Sequence, residues 1–184
     1  MNAPKIDELM VQIKDYASVS SEASLLDAVE ALEKARERAD RRRFKHRAVL
    51  VIDEQEKIVG KVRPIEVLDN LEPGYGRLGP LNDPARLSRE KIKNMITERR
   101  LWEKPFRQTC RDAALTPVKE IMHVFQENEY IHLDAPIEEA IHQMIIGRRM
   151  SLLVEKDGQV VGVLRLTDIY SEVCLIMKEG RPPY

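Results

Sequence analysis

The sequence predicts an α+β fold: two pseudo-symmetric βαββα repeats packed through their sheets, with a helical insertion between them. Three observations predict it. The chain repeats itself: Lys5-Ile6-Asp7-Glu8-Leu9-Met10 is matched by Val118-Lys119-Glu120-Ile121-Met122, and Ala23-Ser24-Leu25-Leu26-Asp27-Ala28-Val29 by Ala135-Pro136-Ile137-Glu138-Glu139-Ala140-Ile141. Further on, Ile58-Val59-Gly60-Lys61-Val62-Arg63 is matched by Val160-Val161-Gly162-Val163-Leu164-Arg165. Within each copy, hydrophobic spacing alternates between helical and strand periods in the same order. Two copies are too few for a solenoid, so they are expected to pack on each other and leave clefts between them.

In the first copy, 18–20 reads as a short strand after an opening helix. Ser24 then reads as a helix N-cap, with Asp27 three residues on as its capping partner. Leu25, Ala28, Val29 and Leu32 form one apolar face of that helix, which is expected to run through Ala35 and Ala39. The continuous apolar run 48–53 reads as a buried strand, and 58–62 as its return. Pro64 suits the first turn of a helix reaching about Asn70.

The second copy repeats this. Pro136 opens a helix with Ile137, Ala140, Ile141, Met144 and Ile145 inward, and Gly147 is expected to end it. The run 151–155 is a strand, Asp157-Gly158 a tight hairpin turn, and 160–164 the return. Thr167 is expected to cap a last helix carrying Ile169, Val173 and Ile176.

Four segments are expected: 1–71 as the first repeat, 72–116 as the insertion, 117–178 as the second repeat and 179–184 as a tail. The insertion opens with turn formers from Pro73 to Pro84. Ser88 then caps a helix, with Leu87 and Ile92 placed as a hydrophobic staple. Trp102 and Phe106 read either as local core or as anchors for a second chain.

The chain has 184 residues, is 43% hydrophobic and 33% charged, and carries a net charge of −1. That supports a core and gives no global field toward nucleic acid or an anionic membrane. Two cysteines, Cys110 and Cys174, make no disulfide framework, and no apolar run approaches a membrane span. These features predict a cytoplasmic protein. Among His46, His123, His132 and His142 there is no zinc-site spacing, and neither a P-loop nor a Gly-x-Ser-x-Gly elbow occurs, so no enzyme and no metal is predicted. The basic run Arg41-Arg42-Arg43-Phe44-Lys45-His46-Arg47 reads chiefly as a solvated helix end, since Glu30, Glu33, Glu37 and Asp40 precede it. Nucleic-acid binding is not expected.

The repeats resemble a tandem pair of CBS domains, the cystathionine-β-synthase type module. The resemblance rests on Glu120-Ile121-Met122, the helix opening at Pro136, Asp157-Gly158-Gln159-Val160-Val161-Gly162-Val163-Leu164, and Leu166-Thr167-Asp168-Ile169. It implies a regulatory module binding an adenosine-type ligand, such as AMP, ADP, ATP or S-adenosylmethionine, between the repeats. It also implies a homodimer and an effector protein that reads the occupancy. The family's nucleotide signature runs Gly, apolar, variable, Thr or Ser, two variable, then Asp. In the second copy Gly162 and Asp168 fit, Arg165 stands where the hydroxyl residue is expected, and Thr167 lies beside the Asp. In the first copy Gly60 fits, Arg63 replaces the hydroxyl residue and Glu66 replaces Asp. The family's Asp accepts from ribose hydroxyls, whereas Thr167-Asp168 also suits a plain helix start. Arginine at both matching positions either holds phosphate or fills the site by pairing with a carboxylate. The second alternative leaves a ligand-free dimerisation or scaffold module. Arg47, and Arg149 at the corresponding place, are further candidate ligand contacts.

Overall fold

A computed structural model describes residues 4–38, 48–78 and 87–179. The described residues divide into two compact units, and the division does not follow the order of the repeats. One, here called the C-terminal unit, falls within Met1–Ser18, Leu32–His46 and Val124–Tyr184; the other, the central unit, within Val19–Ala31 and Arg47–His123.

The C-terminal unit is built on a hairpin. Strands β6 (Ser151–Lys156) and β7 (Gln159–Arg165) pair antiparallel, with Leu153 opposite Val163. The turn between them has φ of 51° at Asp157 and 75° at Gly158, the left-handed conformation that this pair was expected to supply. Strand β5 (Tyr130–His132) adds parallel to β6. The fourth strand comes from the other end of the chain: β1 (Val11–Gln12) pairs antiparallel with β7, Val11 opposite Val163. Helix α7 (Ile137–Gly147) and helix α8 (Leu166–Glu179) contribute Ala140, Met144 and Ile169 to a core with Leu152, Val154 and Leu164. The short helix α1 (Ile6–Leu9) adds Ile6, 1% exposed, to that same core.

The central unit repeats the plan. Strands β2 (Ser18–Ser20), β3 (Val49–Ile52) and β4 (Ile58–Val62) form a sheet in that order. Both hairpins carry a register shift at the matching place, after Val51 in one and after Val154 in the other. Helix α2 (Leu25–Arg38) starts here and helix α3 (Pro64–Asp69) follows β4. Ser24 caps α2 as expected: its hydroxyl accepts from the Asp27 N–H, and the Asp27 carboxylate accepts from the Ser24 N–H at 2.8 Å. The role of β1 is played here by residues 122–123. Lys61 and His123 exchange backbone hydrogen bonds of 2.9 Å, and Val118 N–H donates to the Ala23 carbonyl.

Each leading segment therefore packs in the unit that holds the other copy's hairpin. Gly60 and Gly162 show why the approach is close. A Cβ on Gly60 would lie 2.6 Å from Met122 Sδ and 2.9 Å from the His123 carbonyl oxygen. A Cβ on Gly162 would lie 2.5 Å from Met10 Sδ and 2.8 Å from the Val11 carbonyl oxygen. Both glycines serve backbone approach.

The insertion is ordered by its own contacts. It holds a 3-10 turn at Pro73–Arg77, helix α4 (Arg89–Glu98) and helix α5 (Phe106–Ala114). Ser88 caps α4 through the Lys91 N–H at 3.1 Å. Glu72 accepts from the Gly74 and Trp102 N–H groups, and Trp102 Nε1–H donates to the Tyr75 hydroxyl at 3.0 Å. Ala113 joins Val51, Val62 and Val118 in the central core. Helix α6 (Val118–Ile121) then leads out of the unit. Trp102 is thus local packing, whereas Phe106 is 63% exposed.

One local expectation needs correction. Helix α8 begins at Leu166, so Thr167 lies inside its first turn and not at the cap. Gly147 is the last residue of α7, as expected, and Arg148 after it takes the left-handed C-cap position at φ 51°, its N–H donating to Ile145 O. Gly147 also leaves room for its neighbour, because a Cβ there would lie 3.0 Å from Arg149 Cγ.

Candidate functional site

The site is assembled where β7 hands over to α8. Arg165 ends the strand and Asp168 sits in the first helical turn, so the two side chains meet across the junction. Arg165 Nε donates to Asp168 Oδ2 at 2.5 Å and Nη2 to Oδ1 at 2.6 Å. Both side chains are nearly buried, 7% and 12% exposed. This bidentate geometry is the strong form of the Arg–carboxylate pair. Tyr16 shares its surroundings. Burial pushes the Tyr16 phenol from its ordinary 10.0 up to about 12, with the Arg165 charge pulling down and the Asp168 charge adding to the rise.

The first copy repeats the pair one notch more open. Arg63, between β4 and α3, donates through Nε to both Glu66 oxygens at 2.9 and 3.0 Å and through Nη2 to Oε1. Glu66 Oε2 also accepts the Arg63 backbone N–H at 2.7 Å. The Arg63 side chain is 36% exposed and that of Glu66 13%.

The remaining candidates lie elsewhere. Gly60 and Gly162 are filled by the methionine sulfurs and carbonyls described above. Thr167 points its carbonyl at the Ser171 hydroxyl, which donates at 2.9 Å. Arg149 Nη1 lies 3.5 Å from Oε2 of Glu129, which is fully buried, and Nη2 donates to Asn128 Oδ1 at 3.2 Å. That is the environment of a structural counter-ion. Arg47, with the basic run 41–47 and His46, lies outside the described residues. Tyr16 and Glu129 were not legible as partners of the two arginines, because chain distance separates Tyr16 from Arg165 and nothing local marks Glu129 as buried.

A carboxylate offers about four lone-pair sites and the arginine fork uses two, so Asp168 keeps acceptor capacity for hydroxyls with Arg165 in place. Among the described residues no three His, Cys, Asp or Glu side chains could together hold a metal ion, and no helix is long and apolar enough to cross a membrane.

The model of the CBS domain matches residues 6–73 and 118–174. The chain belongs to the CBS-domain family. It is a tandem pair of CBS domains, with an α+β fold. Its fold is similar to that of a CBS-domain protein from Agrobacterium tumefaciens, at 13% identity and a TM-score of 0.59, covering 92% of each chain. It is also similar to CBSX2, solved in complex with AMP, at 16% identity and TM-score 0.56, covering 94% of this chain and 98% of that one. A longer protein from Methanocaldococcus jannaschii matches 96% of this CBS pair, which spans 66% of that chain, at 17% identity and TM-score 0.55. At these identities the likeness is one of fold. Comparison with curated proteins finds no match.

Proposed function

We propose that this CBS pair is a regulatory module that binds an adenosine-type nucleotide, AMP, ADP, ATP or S-adenosylmethionine, and signals its occupancy to a partner protein. CBS-domain proteins are generally regulatory modules, and one similar fold was solved with AMP. The observation that carries the reading is Asp168: a carboxylate at the first turn of α8, aligned by Arg165 yet retaining acceptor sites for ribose hydroxyls. Arg165 supplies the fixed positive charge that a phosphate beside the ribose would meet. Ligand binding acts by favouring the arrangement in which it makes more contacts. The module works in the cytoplasm as a homodimer, an assignment that follows the family analogy and the two free cysteines.

Isothermal titration of the full chain with AMP, ADP, ATP and S-adenosylmethionine tests this. At least one is expected to bind below the millimolar range, and Asp168→Ala to weaken it tenfold or more, the loss of a charged hydrogen-bond partner. If none binds and Asp168→Ala changes only stability, the nucleotide reading fails.

A second reading has its own support. Both arginines are already paired with carboxylates on the helix that follows them, Arg165 almost out of solvent. That pairing favours a ligand-free dimerisation or scaffold module, in which the two pairs lock the strand-to-helix junctions. The same titration separates the two.

A further inference from the structure

A pocket lies away from the two arginine–carboxylate pairs, at the seam where the first repeat meets the insertion. It holds about 330 Å³ and is lined by the 70–74 turn, the corner between α4 and α5, and one face of α5, all within the central unit. Small-molecule sites run from about 300 to 1,000 Å³, so this one takes a compact metabolite rather than a nucleotide. The corner that forms one wall is held in an uncommon conformation. Arg100 and Trp102 have φ of 52° and 61°, in the left-handed region, and Glu72 fixes Trp102 by accepting its N–H at 2.6 Å. Backbone of this kind persists only where its surroundings enforce it, and it collects at ligand sites. Here the corner brings Arg100, Glu103 and Lys104 to the pocket.

The lining carries both signs of charge, with Glu72, Glu103 and Asp112 against Arg100 and Lys104. Lys104 Nζ donates to Asp112 Oδ2 at 2.9 Å, and Arg100 Nε to Glu103 Oε1 at 2.7 Å. These bonds use part of each group. An ammonium has three donors and a guanidinium five, so among the described residues two N–H bonds of Lys104 and both Nη groups of Arg100 are left for a ligand. The hydrogen bond to Asp112 holds Lys104 above its ordinary range, with the Glu72 charge adding to the rise, and the Lys104 and Gln108 hydrogen bonds hold Asp112 below its own. Both charges are therefore fixed at neutral pH. A lone anion here would face three carboxylates and a lone cation two basic groups, whereas a zwitterion is matched at both ends. The remaining polar lining is specific as well. Asn70 Nδ2 donates to Thr116 Oγ1 at 3.1 Å, which leaves Asn70 Oδ1 as an acceptor beside the Thr116 hydroxyl as a donor. One acceptor beside one donor is the complement of a carboxamide.

We infer that this pocket binds a free α-amino acid with a side-chain amide. Its carboxylate meets Arg100 and Lys104, its ammonium meets Glu72 and Asp112, and its amide pairs with Asn70 and Thr116. The insertion thereby gives the CBS pair a ligand input of its own. This input does not depend on nucleotide binding at Asp168 and is tested with no nucleotide present, so the two stand or fall separately.

Isothermal titration of the full chain with glutamine and with asparagine tests the inference. At least one is expected to bind below the millimolar range. Analogues titrated into the same parent chain then read each group of the ligand without touching the fold. N-acetylation removes the ammonium, amidation of the α-carboxyl removes the negative charge, and an aliphatic side chain of equal length (norleucine for glutamine, norvaline for asparagine) removes the amide. Each change should weaken binding by roughly tenfold or more, the loss of a hydrogen-bond partner that the pocket then leaves unmatched. Arg100→Gln and Asp112→Asn, both at solvent-exposed side chains, should each weaken the parent ligand to the same degree with circular dichroism unchanged. The inference is overturned if neither amino acid binds below the millimolar range, if any of the three analogues binds as tightly as its parent, or if both variants bind like the parent chain.

Discussion

Tyr16 shows how a single side chain is tuned by neighbours that its own stretch of sequence does not contain. Its phenol is buried beside the Arg165–Asp168 pair, and burial dominates the rise from 10.0 to about 12. The sign follows from the neutral form being the protonated one. A raised folded-state value means the fold prefers the phenol, so its contribution is complete below pH 10 and is lost as pH climbs from 10 to about 12. The full effect amounts to about 3 kcal/mol. Chemical denaturation of the parent chain and of Tyr16→Phe across that alkaline range checks it. The parent should lose stability with the steeper slope, and parallel slopes would contradict the assignment. The arginines make the complementary point. Their positions at matching places in the two repeats are legible in the sequence, and so are the two roles open to them. That each pairs with the carboxylate three residues on could be read as an option but not decided, because the rival was an absent ligand.

The elements were the most legible level, since each follows from local spacing. The hairpin at Asp157-Gly158, the cap at Ser24 and the strand pairs all form where periodicity and turn chemistry place them. The insertion was legible as helical but not as anchored. Its anchor is Glu72, whose carboxylate takes the backbone N–H of Gly74 at 2.8 Å and of Trp102 at 2.6 Å. Trp102 holds a φ of 61°, a left-handed conformation that costs a bulky residue about 1 kcal/mol or more. Glu72 and the Tyr75 hydroxyl hold it there. Glu72→Ala should therefore release this corner, leaving two N–H groups unpartnered at about 1–3 kcal/mol. Trp102 is the one tryptophan of the chain, so its fluorescence reports the corner directly. A red-shifted emission at unchanged helix content is expected, and an unmoved spectrum would show that Glu72 is dispensable.

For the molecule as a whole, the consequential fact is the exchange of leading segments. Ile6 and Val11 are 1% and 6% exposed, and they are packed against strands that follow more than a hundred residues later. Burying two such side chains is worth about 3–6 kcal/mol. Removal of residues 1–15 should therefore destabilise the C-terminal unit by at least that amount while sparing the central core of Leu25, Val51, Val62 and Val118. Hydrogen exchange resolved by peptide checks it. Protection should collapse over Ser151–Arg165 and persist over Val49–Val62. Uniform loss over both hairpins, or loss over the central one alone, would contradict the exchange.

The sequence by itself determined the duplication, the order of strands and helices in each copy and the family they belong to, because these rest on spacings of a few residues. Only the tertiary structure decided which hairpin each leading segment joins. Met10 and Met122 are alike, and so are Gly60 and Gly162, so both pairings satisfy the same local chemistry. Choosing between them takes long-range packing, which a pattern that reads the same twice does not encode locally.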